Sequence, residues 1–344
     1  MSRSEIAREK TSACLANQSG RVLWILAFAL LAILATSLLV GRYPSLAIST
    51  PGRIFSDELA QRLIWNLRLP RLLVAVMLGM CLASAGEVFQ MIFANPLVEP
   101  GFLGVSQGAA FGAALCIVFL GSAAWIVQAS AALFAFMGLL LSYVLARQIR
   151  YGGWVLRLLL AGIAVSALFS SAVGVLKYLA DPLHQLPEIT FWLLGGLWSI
   201  TWAQMLSILP VVVLGLLLLY TMRWRLNLLS LDDQTAFSLG AMPSKERSLL
   251  LVGSVAITAA VVSVCGMVGW IGLIVPHLAR RLFGSDSRYA LPGSMLIGGI
   301  FAVFCDDLAR TLLAGEIPLG ILTSLLGALV FVLLMSTQNL NFQR

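Results

Sequence analysis

Residues 22–41 read VLWILAFALLAILATSLLVG, a run of twenty residues without a charged side chain. A helix of about 20 apolar residues is long enough to cross the hydrocarbon core of a bilayer. The run ends at Gly41-Arg42 and lacks a small-residue cleavage site. It is therefore predicted to be a first membrane span and not a removed signal peptide.

The composition of the whole chain agrees with this interpretation. Of 344 residues, 60% are hydrophobic and 11% are charged. A typical soluble domain has about 25% charged residues. A globule of this length cannot hide so much apolar surface from water. We therefore expect an integral membrane protein with a transport function, and the composition argues against a soluble enzyme.

Apolar windows of similar length recur along the chain. Together with the first they number ten: 22–41, 70–92, 102–120, 123–146, 156–179, 203–222, 248–268, 270–283, 291–313 and 318–336. The eighth is short and contains Pro276-His277. The predicted fold is an all-α membrane protein of about ten transmembrane helices, with a tail at 1–21 and a single transmembrane domain at 22–338.

The basic residues predict the orientation. If the N-terminus is cytoplasmic, fifteen of the 22 Lys and Arg residues fall on cytoplasmic segments. Cytoplasmic loops of membrane proteins carry such an excess. Both termini are therefore expected in the cytoplasm. This bias accounts for most of the net charge of +7, so no nucleic-acid partner is expected.

Cysteine and histidine usage gives no sign of a metal site. The chain has five cysteines without CxxC spacing and two histidines far apart in sequence. Small buried cysteines commonly serve as packing residues. We expect no metal and no cofactor bound by this chain.

Three stretches between the windows are not apolar enough to span. Segment 42–69 is expected outside, with Ser56-Asp57-Glu58 capping a short amphipathic helix that ends near Asn66. Segment 181–202, rich in Pro, Gly and Trp, is also expected outside and predicts a short re-entrant or interfacial helix.

The third stretch, 223–247, is a cytoplasmic loop with strong turn residues. Ser230 is predicted to cap a short helix that begins with Asp232 and Asp233. Gly240 is expected to end that helix in a left-handed turn, and Pro243 to start the next helix. A helix–glycine–helix arrangement on the cytoplasmic face suggests a contact surface, although a solvated connector is the alternative.

Four motifs carry a family resemblance. They are RLPRLL at 68–73, NPLVEPGFLGVS at 95–106, GWIGLIVPHLAR at 269–280 and EIPLGI at 316–321. In this order and at this spacing they resemble the FecCD-type permeases, which are membrane subunits of type II ABC importers for iron-siderophores, haem and cobalamin. The resemblance runs from about Arg68 to Gln338.

The resemblance implies an architecture and a set of partners. It implies a ten-span subunit of the bacterial inner membrane that works as a homodimer, with two ATP-binding cassette subunits below and a periplasmic substrate-binding protein above. No GxxxxGK[ST] motif occurs in the sequence, so ATP and Mg²⁺ are expected to be used by the partner ATPase. No catalytic residues are expected in this chain.

The resemblance also suggests two contact surfaces. The cytoplasmic loop matches the family's ATPase-coupling segment, which assigns this role to Asp232, Asp233, Ala236, Leu239 and Gly240. Docking of the binding protein is assigned to Arg68, Arg71 and Arg310. Arg68 could instead extend to lipid headgroups. Arg310 could instead pair with Asp306 or Asp307 inside the span.

The translocation pathway is predicted from polar and small residues in or near the spans, from the helix-breaking connector that begins at Asn95, and from aromatic residues that flank the presumed entry. They are Glu87, Gln90, Asn95, Pro96, Ser106, Gly108, Phe191 and Trp198. Glu87 occupies a position where the family usually has a small apolar residue, and it is either a pathway residue or a neutralised structural acid. The alternative role of Gly108 is helix packing. The alternative role of Phe191 and Trp198 is in an aromatic belt at the membrane interface.

The expected cargo is an iron(III)-chelate such as a siderophore, haem or a cobalamin-like compound. The alternative within the same importer type is a molybdate or tungstate oxyanion. An ion-coupled secondary transporter is a rival class, with Glu87, Lys177, Asp306, Asp307 and Arg310 as candidate residues. An intramembrane enzyme is disfavoured because HExxH does not occur, and because the GxSxG match GVSQG at 104–108 lies within an apolar window and not at a strand-to-helix turn.

Overall fold

The computed structural model describes residues 3–41, 47–48, 58–313 and 315–337, with side chains for 18–39, 58–313 and 315–336. Twelve α-helices account for most of these residues. They are α1 Arg3–Leu39, α2 Glu58–Ile92, α3 Val105–Phe119, α4 Ala124–Gln148, α5 Trp154–Leu179, α6 Gln185–Leu194, α7 Trp202–Leu229, α8 Asp233–Ser238, α9 Pro243–Cys265, α10 Ile271–Phe283, α11 Ser287–Thr311 and α12 Leu319–Thr337.

Each of the ten predicted windows contains a helix. Eight of these helices are long and apolar enough to cross a membrane. The other two are α3 and α10, with 15 and 13 residues. At about 1.5 Å per residue neither reaches the roughly 30 Å of a hydrocarbon core. The all-helical membrane fold is confirmed, whereas the count of ten complete spans stays a prediction.

The predicted loop 223–247 is too long at both ends. Helix α7 continues to Leu229, and α9 begins at Pro243. The segment between these helices, 230–242, is therefore much shorter than expected. The last turns of α7 carry Arg223 and Arg225. Hydropathy places a span boundary where charges begin, but a helix can continue past that point because its backbone bonds are internal.

The predicted external segment 42–69 differs in one respect. Its short helix is not separate, because Glu58–Leu63 continues through a π-helical turn, Ile64–Arg68, into the second span. Ser56, Asp57 and the rest of 42–46 and 49–57 lie outside the described residues. A two-residue strand pair joins Val40 to Ile48 and Gly41 to Ala47. The helix expected within 181–202 is present as α6.

Helices α2, α9 and α11 form the buried centre of the bundle, and most of each apolar stretch is inside. Small residues allow the close approach. A Cβ added at Gly79 on α2 would lie 2.0 Å from the Gly298 carbonyl oxygen on α11, closer than any packed atom can be. Without glycine at this point the two backbones could not meet. The centre therefore depends on backbone contact as well as on side-chain packing.

Candidate functional site

Segment 230–242 is a short helix followed by a glycine turn. The Asp232 carboxylate accepts a hydrogen bond from the Thr235 N–H at 3.0 Å and caps α8. Hydrogen bonds from Thr235 stabilise the ionised form of the cap and lower the pKa of Asp232. Gly240 has φ +82°, and Pro243 occupies the first turn of α9. The left-handed glycine and the proline start are confirmed.

The predicted cap at Ser230 is wrong. Ser230 ends α7, and its hydroxyl donates to the Asn227 carbonyl oxygen at 2.9 Å. The residue that caps α8 is Asp232. Both are good capping residues. The extension of α7 to Leu229 places Ser230 at the end of the preceding helix, where it cannot also start the next one.

Several contacts fix this segment to the bundle. Ala236 is fully buried. Arg247 on α9 pairs with Asp233 at 2.6 Å and donates to the Leu229 carbonyl oxygen at 2.9 Å. Arg225 donates to the Gly240 carbonyl oxygen at 3.2 Å. The segment is therefore tied to both α7 and α9.

Three large apolar side chains project from this anchored segment. Phe237 is 71% exposed, Leu239 57% and Met242 58%. Aromatic residues and Met are enriched at protein–protein interfaces. Exposure of large apolar side chains to water is unfavourable. This surface therefore has the character of a protein–protein contact site.

A buried charge network lies at the opposite end of the bundle. Asp306 on α11 has no exposed surface, and it pairs with Arg71 at 2.9 Å and with Arg310 at 3.2 Å. Arg71 also pairs with Glu316 at 2.8 Å, and Arg310 also pairs with Asp307. The network joins α2 at Arg71 to the end of α11 and to the residues that precede α12.

The network bears on the predicted docking residues. The structure contains the alternative arrangement for Arg310, in which it pairs with Asp306 and Asp307. Arg71 is also buried and paired. Arg68 is partly buried and donates to the Leu38 carbonyl oxygen at 2.9 Å. Docking by these three residues stays a prediction.

Glu87 is fully buried and has a cationic partner. Its carboxylate lies 3.0 Å from Arg280 on α10 and 3.4 Å from the Ser294 hydroxyl on α11. Gln90 donates to the carbonyl oxygens of Gly272 at 3.3 Å and Leu273 at 3.1 Å. This arrangement corresponds to the neutralised structural acid, one of the two alternatives given above for Glu87. Both side chains hold α10 against α2.

The connector between α2 and α3 is irregular and makes further contacts with α10. Ala94 has φ +46°, and the Asn95 side chain accepts from the Leu97 N–H at 2.9 Å. His277 on α10 lies with Nε2 3.1 Å from the Pro96 carbonyl oxygen, to which it donates. Asn95 and Pro96 therefore shape the connector.

Glu99 in the same connector was missed by the sequence analysis. Its carboxylate accepts a hydrogen bond from the backbone N–H of Trp270, a residue with φ +72° at the start of α10. The signal was available, because an acidic residue stands between two prolines in a segment that already looked irregular. Its partner is 171 positions away (270 − 99), which no local pattern reveals.

Glu99 lines two cavities. One has a volume of about 660 Å³ and is bounded by α6, α12 and the residues before α10. The other, of about 220 Å³, includes Ser106. Irregular backbone at membrane depth is tolerated where it is buried or lines an aqueous space. Among the described residues, these cavities are candidates for part of a pathway.

The remaining predicted pathway residues lie apart from Glu99. Phe191 and Trp198 line a third cavity of about 300 Å³, with ring centroids 6.2 Å apart. Gly108 is buried against α4, where an added Cβ would lie 2.2 Å from the Phe134 carbonyl oxygen. This is the helix-packing role given above as its alternative. In the described part of the chain, no cluster of three His, Cys, Asp or Glu residues could hold a metal.

Comparison with known proteins gives consistent matches. Residues 27–337 match the FecCD transport family. The chain is 40% identical over 332 residues to the hemin transport system permease protein HmuU of Yersinia pestis, covering 93% of this chain and 98% of that protein. It is 38% identical over 319 residues to the molybdate import system permease protein MolB of Haemophilus influenzae, covering 90% and 94%.

A solved structure agrees with these matches. An inward-facing metal-chelate type ABC transporter superposes with a TM-score of 0.85 at 38% identity, covering 92% of this chain and 99% of that chain. Such permeases are non-enzymatic membrane components of ABC importers, and a separate subunit hydrolyses ATP. With a match across nearly its whole length, this multi-pass membrane protein belongs to the FecCD transport family.

Proposed function

We propose that this chain is the permease of an ATP-driven importer that moves an iron(III)-chelate, such as a siderophore, haem or a cobalamin-like compound, from periplasm to cytoplasm. The hemin and metal-chelate names of two similar proteins support this class of cargo. Both termini lie in the cytoplasm in this proposal, as the distribution of Lys and Arg favours. Segment 230–242 then faces the cytoplasm.

The observation that carries the proposal is the anchored segment 230–242 with its exposed apolar side chains. A short helix tied to α7 and α9 can transmit a rigid-body rotation, which a loose loop cannot. Phe237, Leu239 and Met242 supply apolar contact area for an ATPase subunit. The chain acts as a homodimer in this proposal, so two ATPase subunits bind, and they use ATP and Mg²⁺.

The binding protein docks at the opposite end. Arg68 is the best-placed docking cation, because within the described residues it has a carbonyl partner but no carboxylate partner. Arg71 and Arg310 already neutralise carboxylates of their own chain. Their role in docking is to keep the surface in a fixed conformation. A carboxylate of the binding protein would form a further ion pair at the exposed side of this network. Such charge contacts mainly steer encounter and fix orientation.

The cargo passes beside the connector that contains Glu99. Two cavities meet this residue, and the larger is lined by α12 and by the end of α6. Phe191 and Trp198 lie nearer the periplasmic entry in the proposed orientation. Gln90 and Glu87 support the path indirectly, because they fix α10 to α2.

Reconstitution tests this proposal. The chain is co-purified with an ATPase and a binding protein, and the complex is placed in proteoliposomes. We expect ATP hydrolysis and uptake to rise with a ferric siderophore, haem or cobalamin. Phe237→Ser is expected to abolish the response, whereas Phe28→Ser, which alters a similarly exposed phenylalanine on α1, keeps it. Uptake without any ATPase subunit would refute the proposal.

A second cargo class has one specific observation in its favour. A relative that is 38% identical over most of this chain carries a molybdate name. The same assay includes molybdate and tungstate. Stimulation by these oxyanions alone would assign the chain to oxyanion import while leaving its role as an ATP-driven permease intact.

A further inference from the structure

A long apolar groove lies on the surface between α4, the start of α5 and the first half of α9. Its volume is about 450 Å³, and its lining is almost entirely apolar. Leu133, Met137 and Leu140 line it from α4, with Leu158 and Val252 opposite. The groove is separate from the cavities beside Glu99, which have other lining residues.

The dimensions of the groove match one acyl chain. Its lining on α4 runs from Leu133 to Tyr143, which are ten residues apart. At about 1.5 Å per residue this is roughly 15 Å, or half the thickness of the hydrocarbon core. The groove therefore has about the length of one leaflet.

One end of the groove is aromatic and polar. Tyr143, Trp154 and Ser248 all line this end, and they belong to three different helices. Tyr and Trp are enriched at the level of lipid headgroups. These residues are near the C-terminus of α4 and the N-termini of α5 and α9, on the side of the bundle that carries segment 230–242.

Two basic residues lie just beyond this aromatic end. Arg147 is one turn further along α4, with its guanidinium 4.6 Å from the Tyr143 ring and donating to the Tyr143 hydroxyl at 2.8 Å. Lys245 precedes Ser248 by three residues on the same face of α9. Both are exposed, and among the described residues neither has a carboxylate partner.

From this combination we infer that the groove is a binding site for an anionic phospholipid of the leaflet on the side of segment 230–242. One acyl chain lies along α4, and the headgroup phosphate binds Arg147 and Lys245. Basic pockets between helices on the cytoplasmic side favour acidic headgroups.

Native mass spectrometry of the purified full-length chain tests the headgroup. Phosphatidylglycerol and phosphatidylcholine are offered in competition, and bound lipid is counted. We expect wild type to retain phosphatidylglycerol preferentially. The double variant Arg147→Gln/Lys245→Gln should reduce the ratio of bound phosphatidylglycerol to bound phosphatidylcholine roughly 30-fold, because each basic residue contributes about fivefold to this ratio. The control Arg62→Gln/Lys177→Gln removes the same charge from the other end and should retain it.

A second pair of variants tests the groove itself. Leu140→Trp fills the groove and should reduce retention of both lipids, whereas Leu214→Trp, at a similarly exposed position on α7, should not. Equal retention of the two lipids by wild type would overturn the inference. This measurement uses only the wild-type protein, so it does not depend on the folding of any variant. Crosslinking of Leu140→Cys to a second copy would also overturn it, because the groove would then be a subunit contact.

Discussion

Replacement of Gly240 tests how segment 230–242 works. Gly240 has φ +82°, a conformation that L-residues with side chains rarely adopt. A Cβ added there would meet no atom within 4 Å. A substitution at this position therefore changes the cost of the backbone conformation without causing a steric clash. We expect Gly240→Val to uncouple ATP hydrolysis from uptake while membrane insertion is unchanged.

The magnitude follows from the backbone alone. A left-handed conformation costs a residue with a Cβ about 1–2 kcal/mol, and a β-branched residue lies at or above the upper end. Asparagine tolerates this region better. A shift of about 2 kcal/mol changes a conformational equilibrium up to roughly 30-fold. Coupling should therefore fall in the order Gly, Asn, Ala, Val at position 240.

The comparison of Asn with Val is the decisive one, because their side chains have similar sizes but different tolerance of positive φ. The assay measures ATP hydrolysis and cargo uptake by the reconstituted complex, with uptake per ATP as the readout. Gly240→Asn should keep most of the coupling and Gly240→Val should lose most of it. If both variants lose coupling equally, side-chain bulk at the partner surface is responsible and the backbone argument is wrong.

Three further predictions concern the buried contacts. Asp306→Asn should lower the free energy of unfolding by about 3 kcal/mol in thermal unfolding, since two buried guanidinium groups lose a shared carboxylate; the more exposed Asp307→Asn should cost less. In a double-mutant cycle, Glu87→Leu alone should destabilise by about 3–5 kcal/mol, and adding Arg280→Leu should restore most of this stability; additive losses would contradict the pairing. Gly108→Ala should lower the free energy of unfolding by about 1–3 kcal/mol, because the added Cβ displaces α4. A neutral effect would show that the interface is loosely packed.

The order and type of the helices could be predicted from the sequence. In lipid every backbone polar group must be satisfied within the segment, so each apolar run long enough to span becomes a helix. The turn at 240 was predictable for a similar reason. A glycine and a proline act over a few residues, and Gly240 and Pro243 take the predicted places, whereas the cap is Asp232 and not the predicted Ser230.

The roles of the polar residues inside the bundle needed the tertiary structure. Glu87 pairs with a residue 193 positions later, and Arg71 with one 235 positions later. Gly108 was predicted in the pathway, but it packs against a helix backbone. Composition and periodicity describe one helix at a time.

The sequence by itself determined that this protein is a membrane-embedded helical bundle of a recognisable family, because length, hydropathy and short motifs are local properties. Only the tertiary structure decided which charges neutralise each other and which irregular segment borders a cavity. These outcomes depend on which helix faces meet, and Glu99 beside Trp270 shows that the meeting residues can be far apart in the chain.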